Sequence, residues 1–206
     1  METDQIKIID NEPELVRKAQ QGDQRAFSLL VKKYESTVYS FAFKVCRNEG
    51  DAAETLQDTF VNVYRKLDQF NGKAKFSTWL YQIVTNNCLM KRRRSKMDES
   101  SVSMGSSDSE EENSAPGSDG TPIQRFVSLM QTPQDEAVNK ELRELLDTAI
   151  LKLPMEQRIV FILRDVEGRS SEETAKILKV SVAATKSRLR RARVFLRKQL
   201  QEYVEE

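Results

Sequence analysis

The segment SSEETAKILKVSVAATKSRLRRARVFL, residues 170–196, determines how the C-terminal part of this chain folds. Ser170 or Ser171 can cap a short helix, because acidic residues follow in its first turn, where the helix dipole favours them. Lys179-Val180-Ser181 indicates a tight turn, and Ser181 can cap a second helix. The second helix carries one apolar face with spacings of 4, 3 and 4, formed by Thr185, Leu189, Ala192 and Leu196. A short helix, a tight turn and a longer second helix form the pattern of a helix-turn-helix.

Positive charge is concentrated on this second helix. Residues 184–200 contain seven Lys or Arg and no acid, whereas the whole chain has a formal net charge of +1. A basic helix of this width fits the major groove of DNA, where its first turns reach base edges and later cations neutralise phosphates. A charge run alone would indicate only a solvated face. The short helix and turn that precede it favour DNA binding.

The composition of the chain changes near residue 95. Residues 98–122, DESSVSMGSSDSEEENSAPGSDGTP, are rich in Ser, Gly, Asp and Glu, and such a segment cannot bury enough surface to offset the entropy cost of ordering. Residues 96–135 hold eight acids and two bases, a net charge of −6, so the rest of the chain carries +7. We therefore expect a helical domain over 1–95, a flexible acidic linker over 96–135 and a helix-turn-helix domain over 136–206.

The N-terminal part also has helical periodicity. One apolar stripe recurs at steps of three and four residues and consists of Phe27, Leu30, Val31, Tyr34, Val38, Phe41, Ala42 and Val45. Asn48-Glu49-Gly50 interrupts it, and Asp51 is then expected to cap a helix, with Glu54 three residues later. Ser77 or Thr78 is expected to cap a further helix. Because no segment alternates with period two for long, the predicted fold class is all-α, with two small helical domains.

The composition excludes several classes of function. The chain has no His, no phosphate-binding glycine loop and no apolar run long enough to span a bilayer. We expect no catalytic residue, no metal site and no cofactor. The N-terminus has no secretory signal pattern, and Cys46 and Cys88 are expected to stay reduced in a cytoplasmic protein.

Two long stretches resemble a known family. LPMEQRIVFILRDVEGRSSEETAKILKVSVAATKSRLRRARVFLRKQL, residues 153–200, resembles the C-terminal promoter-binding domain of bacterial sigma factors of the extracytoplasmic-function (ECF) group. AFSLLVKKYESTVYSFAFKVCRNEGDAAETLQDTFVNVYRKLDQFNGKAKFSTWLYQIVTNNCLMKRRR, residues 26–94, resembles their other conserved domain. The resemblance implies a factor that gives RNA polymerase core its promoter specificity and performs no covalent chemistry.

The resemblance also implies the protein partners. Residues 51–70 resemble the helix that docks on the clamp helices of the largest polymerase subunit, with the candidates Leu56, Gln57, Asp58, Phe60, Val61 and Tyr64. Since Leu56, Phe60 and Val63 suit the helix core better than direct contact, the prediction rests on Gln57, Asp58 and Val61. Further implied partners are the flap of the second-largest subunit, promoter DNA and an anti-sigma factor.

Residues 71–94 resemble the element that opens and reads the −10 region. The loop Asn71-Gly72-Lys73-Ala74-Lys75 would hold a base extruded from the non-template strand, and Trp79 and Tyr81 are the rings available for stacking, although Trp79 suits a core position equally well. Asn86 matches the position that reads the −10 element, with Asn87 beside it. The strand phosphates would contact a polybasic helix end, for which a solvated surface is the alternative, made of Lys91, Arg92, Arg93 and Arg94.

The second helix of the helix-turn-helix resembles the element that binds the −35 duplex. Its candidate contacts are Lys186, Ser187, Arg188, Arg190, Arg191, Arg193 and Lys198. Arg190 and Arg191 suit guanine O6 and N7, and Arg193 and Lys198 suit phosphate. Lys186 stands where some relatives carry Arg.

Two other functions and one question about the linker stay open at this point. A conventional helix-turn-helix regulator would use the C-terminal part alone, and an adaptor would use the basic helix to bind an acidic protein. Within the ECF interpretation, the acids of the linker either mimic RNA in the exit channel of the polymerase or form an inert tether.

Overall fold

The computed structural model describes residues 11–100 and 138–204, with side chains described over 11–94 and 145–200. These residues form eight α-helices and no strand, which confirms the all-α prediction for the described part. The helices are α1 (Glu12–Gln20), α2 (Gln24–Cys46), α3 (Glu49–Lys66), α4 (Phe76–Ser100), α5 (Val138–Lys152), α6 (Met155–Phe161), α7 (Ser171–Leu178) and α8 (Val182–Val204). A 3-10 turn, Leu67–Gln69, follows α3, and a π turn, Ile162–Val166, follows α6.

The chain divides into two compact units. The first comprises Met1–Cys88 and Arg169–Thr185, and the second comprises Leu89–Gly168 and Lys186–Glu206. These bounds differ from the domain boundaries expected from composition, which stay predictions. Helix α4 continues to Ser100, five residues into the segment assigned to the linker, and residues 101–135 lie outside the described residues.

The core around α2 follows the apolar stripe of the sequence. Leu30, Val38, Phe41, Ala42 and Val45 are buried as predicted, and Phe27, Val31 and Tyr34 are half-buried at its margin. Helix α3 faces this core with Ala52, Thr55, Thr59 and Val63, and α4 faces it with Leu80, Ile83, Val84 and Cys88. The stripe therefore fixes which side of α2 is core and which sides of α3 and α4 remain for other contacts.

Two helix starts differ from the sequence-based expectation. The cap of α3 is Asn48 rather than Asp51, because the Asn48 side-chain oxygen accepts a hydrogen bond from the Asp51 backbone N–H at 2.9 Å. Helix α4 begins at Phe76, so that Ser77 and Thr78 lie inside its first turn. The Thr78 N–H instead donates to the Lys75 carbonyl at 3.0 Å. Both expected caps were wrong by two to three residues.

The helix-turn-helix pattern is confirmed. Ser170 caps α7 in a reciprocal box, in which the Glu173 N–H donates to Ser170 Oγ and the Ser170 N–H donates to the Glu173 carboxylate, each at 3.0 Å. Lys179 ends α7 with a φ of 55°, and Ser181 Oγ accepts from the Ala184 N–H at 3.0 Å at the start of α8. The predicted inner face of α8 is buried: Thr185, Leu189, Ala192 and Leu196.

Among the described residues, no helix has the length and apolar character that crossing a membrane requires.

The capping box of α7 predicts a pH-dependent contribution to stability. The Ser170 N–H holds the pKa of the Glu173 carboxyl below its ordinary value of 4.5. A lowered folded-state pKa stabilises the fold at pH values above the unfolded-state pKa, and this contribution is lost as the pH falls through the folded-state pKa. Glu173→Gln should therefore lower the free energy of unfolding at pH 7, and the difference from wild type should disappear in acid.

Urea unfolding at a series of pH values measures this difference. Ser170→Ala should cost about 1 kcal/mol at pH 7, which is the usual value of a helix cap. Ser171→Ala is the matched control, because Ser171 is the neighbouring hydroxyl at the first helical position. Equal losses for the two serine variants would contradict the assignment of Ser170 as the cap.

Candidate nucleic-acid interface and polymerase-docking surface

The loop before α4 encloses a cavity. Gly72 has a φ of 72°, and the Asn71 side-chain oxygen accepts from the Lys73 N–H at 3.1 Å, which makes a tight turn. The loop and α1 line a cavity of about 610 Å³, to which Asn71, Gly72, Lys73 and Lys75 all contribute. The structure therefore brings together the four loop residues that the sequence singled out. No sequence pattern points to the α1 side of the cavity, because Gln20 of that helix lies 50 residues from Phe70.

Three aromatic rings stand behind this loop. The Trp79 ring centroid lies 5.3 Å from that of Phe70 and 5.6 Å from that of Phe76, and Trp79 is half-buried. Tyr81 is only 3% exposed and its ring meets Phe41 edge to face at 5.2 Å. The structure therefore argues against a stacking role for Tyr81, because its ring is occupied in the core. Trp79 remains the candidate ring.

Neighbouring asparagines of α4 have different environments. Asn86 is exposed. Asn87 Nδ2 donates to Thr59 Oγ1 at 3.0 Å, and Asn87 Oδ1 accepts from Asn62 Nδ2 at 3.0 Å. Its amide thus joins α4 to α3, and the −10 contact of Asn87, which would compete with these hydrogen bonds, stays a prediction. Asn86 keeps its exposed amide for an external partner.

The polybasic end of α4 lies at the surface. Arg92, Arg93 and Arg94 are exposed, and Lys91 is half-buried. All four belong to the same continuous helix as Asn86. The structure thus presents three arginines within two turns of the candidate base-reading amide, a spacing that suits contacts to successive phosphates of one strand.

Helix α3 presents an exposed apolar stripe opposite its core face. Val61 and Tyr64 are 47% and 64% exposed, an unusual position for large apolar side chains in the middle of a helix. Tyr64 meets Phe27 edge to face at 5.1 Å. Gln57 and Asp58 are exposed one turn earlier, whereas Leu56 and Phe60 are half-buried at the edge of the core. The stripe for a partner helix therefore consists of Gln57, Asp58, Val61 and Tyr64.

The candidate −35 residues of α8 differ in their exposure. Lys186, Arg190, Arg191 and Lys198 are exposed, whereas Ser187 and Arg188 are half-buried. Arg188 forms an ion pair with Glu156 of α6 at 2.5 Å. The exposed group is the part of the predicted −35 surface that lies on the solvent side of α8.

The Arg193 side chain forms an ion pair within the C-terminal helices. Its guanidinium donates two hydrogen bonds to the Asp165 carboxylate, at 2.8 and 2.7 Å, and the Asp165 side chain is only 6% exposed. Such a fork-to-fork pair has fixed geometry. These donors hold α8 against the π turn Ile162–Val166, so the phosphate contact of Arg193 stays a prediction that would have to compete with Asp165.

Substitutions of the two asparagines should differ in their effect on the free energy of unfolding. Asn87→Ala removes two interhelical hydrogen bonds and leaves Thr59 and Asn62 without these partners, so it should lower the free energy of unfolding by about 1 to 2 kcal/mol. Asn86→Ala is the matched control and should change it by less than about 0.5 kcal/mol, as exposed substitutions usually do. Urea unfolding of the full chain measures both. A larger loss at Asn86 than at Asn87 would contradict the division.

The two groups of α8 arginines predict a similar contrast. Arg193→Ala should cost about 2 kcal/mol of unfolding free energy, because hydrogen bonds to charged groups are worth about that much. Arg191→Ala removes the same side chain from an exposed position two residues earlier and should cost almost nothing. A double-mutant cycle between Arg193 and Asp165 should give a coupling of similar size. Independent effects of those two substitutions would show that the pair contributes nothing.

Family models match both helical parts of the chain. A model described as Sigma-70 region 2 matches residues 30–97, and one described as Sigma-70, region 4 matches residues 143–196. Together they cover more than half of the chain. They include α4 with its exposed Asn86 and most of the helix-turn-helix.

Known proteins match over nearly the whole length. The ECF RNA polymerase sigma factor SigW of Bacillus subtilis (strain 168) is 32% identical over 191 residues, which are 91% of this chain and 95% of the relative. The solved structure of CnrH in complex with the cytosolic domain of CnrY has a TM-score of 0.61 at 26% identity, and covers 91% of this chain and 96% of CnrH. The sigma factor RpoE from Bartonella quintana, solved with the anti-sigma factor NepR, shares the fold with a TM-score of 0.54 at 24% identity. This match covers 84% of this chain and 93% of RpoE.

The helix-turn-helix, the exposed asparagine of α4 and these full-length matches agree, and the chain belongs to the ECF group of RNA polymerase sigma factors.

Proposed function

We propose that this sigma factor assigns promoter specificity through three exposed surfaces: the α3 stripe, the face of α4 with the loop before it, and the outer face of α8. The observation that carries the proposal is the exposure of the reading side chains. Asn86 on α4, and Lys186, Arg190 and Arg191 on α8, all lie on the solvent side of helices whose other side is core. Their exposure leaves these polar side chains within reach of an external partner.

The α3 stripe docks the chain on RNA polymerase core. Val61 and Tyr64 supply apolar area, and Gln57 and Asp58 supply the polar edge that a partner helix can pair with. An amphipathic helix recognises its partner by this combination of anchors and edge. The clamp helices of the largest subunit are the proposed partner of the stripe. The flap of the second-largest subunit is the proposed partner of the C-terminal helices.

The α4 surface opens and reads the −10 element. Extruding a base from the stack costs a few kcal/mol, about what a well-formed pocket can supply. The loop from Asn71 to Lys75 and the cavity beside it provide that pocket, with Trp79 as the nearby ring. Asn86 offers a donor and an acceptor to a base edge, and Arg92, Arg93 and Arg94 hold the strand phosphates.

The α8 surface binds the −35 duplex. Arg190 and Arg191 are the candidates for guanine contacts, each bidentate pair being worth about 1–3 kcal/mol of discrimination. Lys186 and Lys198 contribute phosphate contacts, which weaken as salt rises. Ser187 and Arg188 stand at the margin, and Arg188 must exchange Glu156 for DNA if it is to contribute.

Promoter opening in this scheme needs no covalent step by this chain, so it is not an enzyme, and it acts in the cytoplasm, where the polymerase is. An anti-sigma factor is the proposed regulator. It would act by covering the same exposed surfaces, since Val61 and Tyr64 are a ready apolar target.

The acidic linker over 96–135 has two candidate roles. Its acids either mimic RNA in the basic exit channel of the polymerase or serve as a tether between domains 1–95 and 136–206. Deleting residues 100–120 separates these roles. A changed yield of abortive transcripts favours mimicry, and unchanged transcription favours the tether.

Run-off transcription tests the proposed function. Bacterial core polymerase, this protein and genomic promoter fragments should give discrete RNA start sites that share −10 and −35 motifs upstream. Val61→Asp should abolish these starts by weakening core binding at least tenfold, because it places a carboxylate in the apolar docking stripe. Co-purification with core and mapping of the RNA ends measure both effects.

Ser40→Asp is the matched control, because it adds the same charge at an exposed position of α2. It should leave core binding and start sites unchanged. Wild-type protein that neither binds core nor produces starts would overturn the proposal and favour an operator-binding regulator. Core binding that survives Val61→Asp would remove the α3 stripe as the docking surface.

A further inference from the structure

Gln20, the last residue of α1, joins that helix to the chain just before the −10 loop. Its Nε2 donates to the Leu67 carbonyl at 2.8 Å and to the Phe70 carbonyl at 2.7 Å. Both protons of the amide nitrogen are thereby used. Because both partners are carbonyl oxygens, only the nitrogen can face them, and this fixes the orientation of the amide.

The fixed orientation leaves Gln20 Oε1 as an acceptor directed away from those carbonyls. No hydrogen bond within the described residues reaches this oxygen, and Gln20 is exposed and lines the cavity beside the loop. Because both N–H groups of this amide already donate, the side chain can act toward a ligand only as a hydrogen-bond acceptor. Gln20 therefore presents one defined hydrogen-bonding character to whatever enters the cavity.

The rest of the cavity suits a nucleotide. Lys73 and Lys75 on the loop are exposed cations able to contact flanking phosphates. Arg17, on the α1 side, is held by the Glu14 carboxylate at 2.7 and 3.0 Å. Helix α1 itself is held to α2, because the Tyr34 hydroxyl donates to the Glu12 carboxylate. The cavity thus has a fixed wall on the α1 side.

We propose that Gln20 Oε1 accepts a hydrogen bond from the exocyclic amino group of the base extruded into this cavity, so that α1 selects the base held by the loop. Cytosine N4 and adenine N6 are donors at this edge, whereas thymine O4 is an acceptor and would repel the amide oxygen. The inference rests on the proposed function and deepens it. It names a specificity determinant outside the loop and outside α4.

The test uses holoenzyme assembled from core polymerase and the full chain. Its probes are fluorescent single-stranded oligonucleotides of the non-template −10 strand, taken from a promoter mapped by run-off transcription. Each cytosine is replaced in turn by pyrimidin-2-one and each adenine by purine, because these bases lack only the exocyclic amine. For wild type, one position should lose about fivefold in affinity, the usual size of one hydrogen bond.

Two variants separate readout from positioning. Gln20→Met removes both the donor and the acceptor, and should abolish the amine dependence at that position. Gln20→Lys keeps a donor for the Leu67 and Phe70 carbonyls but has no acceptor, so it should also abolish the dependence while the loop stays held. The added charge of the lysine acts equally on both probes and cancels in their ratio. Gln24→Met, an exposed residue of α2, should leave the ratio unchanged.

An affinity ratio that stays near one at every position of the wild-type complex would overturn the proposal. A ratio that persists in Gln20→Lys would do the same, since Gln20 would then only position the loop. In both cases run-off transcription from wild-type protein would still support the proposed function. Absence of RNA starts and of oligonucleotide binding would overturn the proposed function, and this inference with it.

Discussion

The amide of Asn87 fixes how α4 faces the outside. It donates to Thr59 and accepts from Asn62, at 3.0 Å in both cases, and so joins α4 to the helix that carries the proposed docking stripe. Successive residues of an α-helix point about 100° apart. Asn86 lies about 100° from Asn87 on one side and is exposed, whereas Cys88 lies at the same angle on the other side and is buried. The hydrogen bonds of Asn87 and the buried face beside it together orient α4 so that the candidate reading residue is at the surface.

The same pairing also relates docking to reading. Thr59 and Asn62 share α3 with Val61, and Thr59 in turn donates to the Thr55 carbonyl at 2.6 Å. A polar network of this kind tolerates little rotation of either helix, because a displaced amide would leave donors without partners in a half-buried environment. A partner bound to the outer side of α3, as proposed, would therefore meet α4 at a fixed angle. In α8, the buried Asp165 carboxylate gives Arg193 a similar role.

Local patterns explain what could be predicted from the sequence. The α2 stripe, the Ser170 cap, the Ser181 cap and the inner face of α8 depend on residues within a few turns of one another, where periodicity and capping rules apply. The same rules failed at α3, where Asn48 and Asp51 are both acceptable caps. Only the backbone geometry decides between them, because Asn48 is the residue whose side chain reaches the free N–H.

Long-range contacts explain what could not be predicted. The hydrogen-bond partners of Asn87 lie 25 and 28 residues away in the sequence, and that of Arg193 lies 28 residues away. Those of Gln20 lie 47 and 50 residues away. No spacing rule connects positions so far apart. The burial of Tyr81 could not be predicted for a related reason, since an aromatic residue before a polybasic segment has the same local pattern whether its ring is exposed or buried. A family resemblance names positions, but it does not say which side chains the fold has already used.

The charge distribution of the chain limits its sequence-independent attraction to DNA. The segment 96–135 carries −6 and the rest of the chain +7, so the whole molecule is nearly neutral. A nearly neutral chain gains little from long-range attraction to DNA, because sequence-independent binding scales with the phosphates that its cations neutralise. Two of the α8 arginines are also used within the fold, by Asp165 and Glu156. The proposed promoter choice therefore depends on specific contacts of exposed groups rather than on the net charge of the chain.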